Sequence, residues 1–299
     1  MNLVEVHNLT KSFKRHFWSE TKKVIDELSF DIPSGVITGF LGANGAGKTT
    51  TMKCVLGLIF PDSGDITYFG KKSLTTEIKK KIGFLPEQPY FYSYLTGVEF
   101  LKFYGEISTK LTRRDLLLRI DYLLKKVDLY HAKDKALRQY SKGMLQKIGF
   151  AQALIHEPEL LILDEPLSGL DPDGRHYLNE LIKETAKEGR SVFFSSHLLH
   201  DTEKLCENLV ILKDGRLFYQ GPTRNILDNL NAKYRISFLR GHQQETIFVN
   251  NQDEIQSHLK DLLSQDCIIE EVEQDRITLE EYFVKNVLEK KNEAGLDHS

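Results

Sequence analysis

Residues 42–49 read Gly-Ala-Asn-Gly-Ala-Gly-Lys-Thr, the spacing Gly-x-x-x-x-Gly-Lys-Thr. Such a run suits a loop that wraps an anion. Glycines let successive backbone N–H groups turn inward, and the N-terminus of a following helix adds the positive end of its dipole. Lys48 would reach the β- and γ-phosphates of a nucleotide, and the Thr49 hydroxyl would ligate Mg²⁺. Gly42, Asn44, Gly45, Ala46, Gly47 and Thr50 complete the predicted cradle. With glycine at roughly 7% of ordinary usage, the four fixed positions arise by chance in on the order of 1% of chains this long. A glycine turn capping an ordinary helix is therefore the weaker reading. The apolar run 36–41 before the loop and the helical pattern of 48–58 after it sit where a phosphate-binding loop needs a strand and a helix.

A second group of reactive side chains lies at Leu160-Leu161-Ile162-Leu163-Asp164-Glu165-Pro166. Four consecutive aliphatics read as a strand buried on both faces, and its C-terminal end is where open α/β sheets bind ligands. The segment resembles a Walker B strand: Asp164 would hold the Mg²⁺ shell and Glu165 would polarise the water that attacks the γ-phosphate. Taken alone, Asp-Glu-Pro is equally a strand-ending turn; the phosphate loop tips the balance. Residues 191–197, Ser-Val-Phe-Phe-Ser-Ser-His, repeat the buried-strand pattern and bring an imidazole to the same edge. His197 is expected to contact the γ-phosphate and the water-positioning carboxylate. His197, His200 and Cys206 match no zinc spacing.

The elements that must position these groups follow from pattern. Short apolar stretches within residues 3–33 predict an antiparallel β-layer ahead of the loop. A polar, cationic insertion at 14–23 interrupts it as a hairpin tip or exposed loop, its Phe17-Trp18 pair serving either as a contact site or in local packing. Pro61-Asp62-Ser63-Gly64 is a turn cluster, and residues 95–155 are mostly helical in pattern. Asp171-Pro172 predicts the N-cap and first turn of a helix that runs to Gly189. Asp214-Gly215, flanked by 209–213 and 216–219, predicts a two-residue hairpin.

Bulk properties narrow the classes. The 299 residues, 28% charged and 40% hydrophobic, have the composition of a globular chain with one large core and room for a small accessory domain. A net charge of −3 lacks the basic excess of a nucleic-acid binder, so no nucleic acid is expected as the main partner. Three isolated cysteines without C-x-x-C spacing suit a reducing compartment. No segment approaches the ~18 apolar residues of a membrane span, and residues 1–5 show no leader pattern, so no direct membrane span is expected.

Between the two carboxylate and phosphate motifs, residues 140–147 read Tyr-Ser-Lys-Gly-Met-Leu-Gln-Lys. This resembles the Leu-Ser-Gly-Gly-Gln signature of ATP-binding cassette (ABC) proteins, and the chain looks like the nucleotide-binding subunit of an ABC transporter of the exporter type. The resemblance covers residues 1 to about 222. It implies an α/β fold: a P-loop NTPase core with an antiparallel β subdomain and a helical signature subdomain over about 90–158. It implies that Phe13 stacks on adenine, with Phe17 or Trp18 as the alternatives, that Gln88 acts in catalysis and touches Mg²⁺, and that Ser168-Gly169-Leu170-Asp171 is the D-loop. His197 matches the switch histidine.

The signature departs from the family in Lys142 and Met144, while Ser141 and Gly143 remain. In the family the serine hydroxyl and a glycine N–H bind the γ-phosphate held by the opposite subunit. Lys142 either adds charge near the phosphates or faces solvent, the second being favoured. The implied partners are a second nucleotide-binding subunit, in a head-to-tail homodimer with two ATP–Mg²⁺ sites, and separate integral membrane permease subunits. The implied location is the cytoplasmic face of the membrane, peripheral to it. A soluble ABC ATPase of an assembly pathway is the alternative. Tyr90-Phe91-Tyr92 with Tyr94 either forms a groove for a membrane subunit's helix or packs inside the helical subdomain.

Residues 223–290 are expected to form a small α+β domain: strands at 234–239, 246–249 and 267–273, a helix at 254–263, and a capping box at Thr278-Leu279-Glu280-Glu281 opening a last helix. Its role is regulatory, dimer-stabilising or passive packing. Residues 291–299 read as a tail.

Overall fold

The computed structural model describes residues 1–14, 21–229, 233–241, 243–249, 252–275 and 278–288. The predicted tip of the 14–23 insertion, with Phe17 and Trp18, and the 291–299 tail lie outside the described residues. The chain divides into two units, Met1–Gly221 and Pro222–Ser299.

The first unit begins with strands β1 (Asn2–Lys14) and β2 (Thr21–Pro33), which pair antiparallel with Phe13 opposite Lys22. Their inward residues Val4, Val6, Leu9, Ile25, Leu28 and Ile32 are buried, while alternate positions face out. The order of the elements that follow is β3 (Ile37–Gly42), α1 (Lys48–Val55), β4 (Ser63–Tyr68), α2 (Thr76–Lys79) and β5 (Ile82–Leu85). Strand β4 closes the antiparallel sheet as β2-β1-β4. Sequence pattern did not announce β4 or β5: the first is largely exposed and the second is four residues long, so neither carries a full period of alternation.

The helical layer is α3 (Gly97–Ser108), α4 (Arg113–Lys126) and α5 (Lys142–Leu154). Each starts where a hydroxyl accepts an otherwise unpaired amide: Thr96 from Glu99, Thr112 from Asp115 and Ser141 from Met144. Then come β6 (Leu160–Leu163), α6 (Pro172–Lys187), β7 (Ser191–Ser196), α7 (Leu199–Leu205), β8 (Asn208–Lys213) and β9 (Arg216–Pro222). The expected Asp171 cap and Pro172 first turn of α6 are present, and Gly189 at φ +90° ends the segment.

A six-stranded sheet has the order β5-β6-β7-β3-β8-β9, with β5, β6, β7, β3 and β8 mutually parallel. Strands β3, β6 and β7 are buried at every position, which explains their uninterrupted apolar runs. Phe40 and Phe193 meet at 5.0 Å between ring centroids, and Phe30 of β2 stacks on both, joining the two sheets into one core. Topology thus sets β6, β7 and β3 side by side with their C-terminal ends at one edge.

The second unit holds α8 (Thr223–Asn229), β10 (Lys233–Arg240), β11 (Gln243–Val249), α9 (Gln252–Ser264), β12 (Ile268–Asp275) and α10 (Leu279–Phe283). Its antiparallel sheet is ordered β11-β10-β12. Ile236, Phe238 and Val249 of the sheet bury with Ile255, Leu262 and Cys267 in a separate small core. The Thr278–Glu281 capping box forms in both directions.

Candidate active site

Strand β3 runs into the loop 43–47, and α1 begins at Lys48 behind Gly47. Gly47 has φ +108°, and a Cβ there would stand 2.7 Å from the carbonyl oxygen of Val24, so no other residue fits without moving β2. No side chain caps α1, which leaves the first-turn amides directed at the loop's hollow. The hollow is a cleft of about 390 Å³ lined by Asn44, Gly45, Gly47, Lys48, Thr49 and Thr50 from the loop and helix, with Val24, Glu87, Glu165, Ser168 and His197 around it.

Lys48 is 7% exposed, and a buried ammonium needs partners. It donates to the Gly42 carbonyl at 2.8 Å and lies 3.6 Å from Oε1 of Glu165. The second carboxylate oxygen of Glu165 is 2.7 Å from Nδ1 of His197. Asp164, one residue earlier and 3% exposed, accepts from the Thr49 hydroxyl at 3.4 Å and from the Ser195 hydroxyl at 2.7 Å, both on Oδ1. The β6-β7-β3 order therefore brings three motifs, more than 110 residues apart in places, to one edge.

The hydroxyl of Thr49 and the carboxylate of Asp164 are hard oxygen donors of the kind Mg²⁺ takes. Among the described residues no group of three or more His, Cys, Asp or Glu could hold a metal. Such a donor set suits an ion held by one or two protein oxygens and completed by phosphates and water. It does not suit a protein cage. Burial raises the Cys206 thiol well above its ordinary pKa, as expected of a packed cysteine.

Other expected residues lie elsewhere. Gly42 and Ala46 are buried behind the loop. Phe13 is 41% exposed beside the Lys11 ammonium and is absent from the cleft lining. Gln88 is exposed, and its neighbour Glu87 lines the cleft instead. Ser141, Gly143 and Asp171 also stand outside the lining, as N-cap of α5, first turn of α5 and N-cap of α6. Lys142 is exposed, with its ammonium occupying the space where a Cβ on Gly169 would fall. The aromatic segment divides: Phe91 packs on Phe100, whereas Tyr90 and Tyr94 are 80% and 70% exposed.

Sequence reasoning missed Ser195, Val24 and the cleft position of Glu87. The polar end of a strand that is buried throughout, Ser195-Ser196 after Val192-Phe193-Phe194, was the available sign for the first. Val24 reaches the cleft only because β2 folds beside Gly47, which no local pattern announces.

A parallel sheet with a phosphate loop after β3 and acidic residues after β6, one strand removed, defines a phosphate-loop NTPase. Residues 25–168 match the ABC transporter family. An ABC transporter ATP-binding protein of Synechocystis sp. is 37% identical over 309 aligned positions, covering 97% of this chain and 86% of that one. The bacitracin transport ATP-binding protein BcrA of Bacillus licheniformis is 38% identical over 253 positions, covering 84% and 79%. Among solved structures, cbiO1 of Clostridium perfringens, part of the ABC transporter complex cbiONQ, superposes with a TM-score of 0.67 at 28% identity over 76% of this chain and 91% of that one. The chain belongs to the ABC transporter ATP-binding proteins and is an ATPase cassette.

Proposed function

We propose that the chain binds and hydrolyses ATP–Mg²⁺ as one half of a head-to-tail dimer and powers export through separate membrane subunits, lying peripherally on the cytoplasmic face of the membrane. The observation that carries the hydrolytic reading is the convergence of Lys48, Glu165 and His197 on one cleft, with contacts of 3.6 and 2.7 Å. Lys48 and the loop amides hold the β- and γ-phosphates. Thr49 and Asp164, with Gln88 from its exposed loop, would hold Mg²⁺, and the ion would supply charge neutralisation at the phosphates. Glu165 orients and accepts a proton from the attacking water, and His197 fixes that carboxylate from its far side and meets the γ-phosphate. Phe13 stacks on the adenine.

The dimer reading is supported by Ser141 and Gly143, which do not line their own chain's cleft. The Ser141 hydroxyl accepts the Met144 N–H at 3.3 Å and keeps its proton for donation to a second chain's γ-phosphate. A two-fold pair gives each cleft its missing donors and closes on itself. Hydrolysis and phosphate release remove contacts made only in the closed state, and the halves part.

Membrane coupling is supported by an aromatic cluster in which Tyr90, Tyr94 and Phe103 are exposed and Tyr92 is half-buried. Tyr90, Tyr92 and Tyr94 lie in sequence at centroid distances of 5.8 and 6.1 Å, and Tyr92 meets Phe103 at 5.6 Å. It lies immediately after Gln88, so movement at the phosphates is felt there. Among the described residues no helix is long and apolar enough to cross a membrane. The transport name of the Bacillus licheniformis relative supports a transport role, and cbiO1 offers a precedent for a cassette within a transporter complex.

The test is affinity purification of the Glu165→Gln chain from detergent-solubilised membranes with ATP present. A stoichiometric multi-span partner is the expected result. Recovery of soluble partners only, with membrane extraction verified, would overturn the transport reading in favour of an assembly ATPase.

A further inference from the structure

We propose that Ser195 is a positioning residue for ATP hydrolysis: its hydroxyl holds the Asp164-Glu165 segment in the one arrangement that presents the Glu165 carboxylate to His197 and Lys48. The inference rests on the reading of Glu165 given above. Ser195 is fully buried near the end of β7, the strand between β6 and β3. It pairs with Phe40 of β3 on one side, and its side chain turns to the other, toward the end of β6.

Its oxygen accepts the Glu165 backbone N–H at 2.8 Å and its proton goes to Oδ1 of Asp164 at 2.7 Å. A hydroxyl has one proton, so the two bonds fix each other's direction: with the proton committed to the carboxylate, a lone pair faces the amide. Donating to an ionised group strengthens the oxygen as an acceptor. The same Oδ1 lies 3.4 Å from the Thr49 hydroxyl, so the orientation of the Asp164 carboxylate is set from two sides.

Glu165 has φ +47°, a left-handed conformation that a residue with a side chain keeps only when its surroundings over-determine it. The β6–β7 ladder ends at Leu163 opposite Phe194, so no regular strand pairing holds Glu165. Its restraints are the amide bond to Ser195, a carbonyl accepting from the Ser168 N–H at 3.1 Å, and the carboxylate contacts with His197 and Lys48. Of these, the Ser195 bond is the one that ties the Glu165 backbone to a side chain on the neighbouring strand β7. Without the hydroxyl the Glu165 amide would lose its partner, the backbone would relax, and the carboxylate would leave its place over the phosphate loop.

The experiment compares Ser195→Thr with Ser195→Val in the full chain, two residues of nearly the same shape that differ in the hydroxyl. Expected for Ser195→Val is a fall in kcat of about 10- to 100-fold, the scale of an ångström's misplacement. KM for ATP, and ATP affinity in EDTA, should stay within about twofold, because the phosphate loop is untouched. Ser195→Thr should restore kcat. Hydrogen exchange at the Glu165 amide should be about tenfold faster in Ser195→Val than in Ser195→Thr. Equal kcat and equal exchange in the two variants would overturn the proposal. Should either branched side chain prevent folding, Ser195→Ala adds no volume, and wild-type kcat in it overturns the proposal. Glu165→Gln is run alongside. Turnover surviving in Glu165→Gln overturns the reading of Glu165 and this inference with it, whereas a silent Glu165→Gln beside a fully active Ser195→Ala overturns the role of Ser195 alone.

Discussion

The phosphate-loop cleft and the signature segment differ in how they are built. Lys48, Asp164 and Glu165 sit at the C-terminal edge of the buried strands β3 and β6, each held by contacts from at least one other strand or loop. Ser141 and Gly143 sit on the exposed start of α5, and Ser141 is held by the local cap to Met144. The first half is organised by the long-range topology of its own chain. The second is a local helix cap, and in the proposed dimer it would act only on a second chain's nucleotide. A sheet edge can carry charge in a buried place because its neighbours supply partners; a helix start on the surface can be presented to another molecule because it owes nothing to its own core.

Lys48→Ala tests the buried half most severely. Truncating one partner of a buried, hydrogen-bonded charge pair costs about 2–5 kcal/mol, so ATP affinity measured by equilibrium binding should fall by about 30-fold or more. Unchanged affinity would break the contrast at its stronger side. Ser141→Arg tests the exposed half, where turnover should fall by about 100-fold or more while ATP binding to the isolated chain is preserved. A loss of binding in that variant would mean that the two halves are one site within a single chain.

Gly47→Ala probes the backbone beneath the cleft. A left-handed non-glycine residue costs about 1–3 kcal/mol, and the added Cβ also meets the Val24 carbonyl, so thermal unfolding should shift down by several degrees. Ser141→Ala should cost only about 1 kcal/mol, the worth of a lost helix cap, seen as a smaller shift in denaturant midpoint.

The smallest effect is a pH dependence. His156, just beyond α5, has its pKa lowered chiefly by burial, against which its bond to the Ile82 carbonyl at 3.0 Å works in the opposite sense. Above the ordinary value of 6.5 both states are neutral and the residue contributes no slope. As pH falls below it the unfolded chain takes the proton first, and stability drops by up to about 1.4 kcal/mol per pH unit until the folded histidine titrates. His156→Gln should remove that part of the acid-side slope in urea titrations at successive pH values.

Much of this was legible beforehand because the signals are local. A phosphate loop must be contiguous for its amides to converge, so Gly42 to Thr49 declare themselves, as do the four aliphatics before Asp164 and the Asp171-Pro172 start of α6. Strands β4 and β5 were not legible, one too exposed and the other too short for alternation to show. The small unit at 222–288 was legible as strands, helix and capping box because each is a short-range pattern.

The sequence by itself determined which residues could bind phosphate, which strands carry uninterrupted apolar runs, and where α1, α6 and α10 begin, since each depends on neighbours within a few positions. Only the tertiary structure decided that Ser195 meets Asp164 and Glu165, that Val24 and Glu87 border the cleft, and that the signature residues do not line it. The physical reason is sheet order. Side chains 30 to 115 residues apart come within hydrogen-bond range because β6, β7 and β3 are neighbours, and that adjacency is a property of the whole packed core.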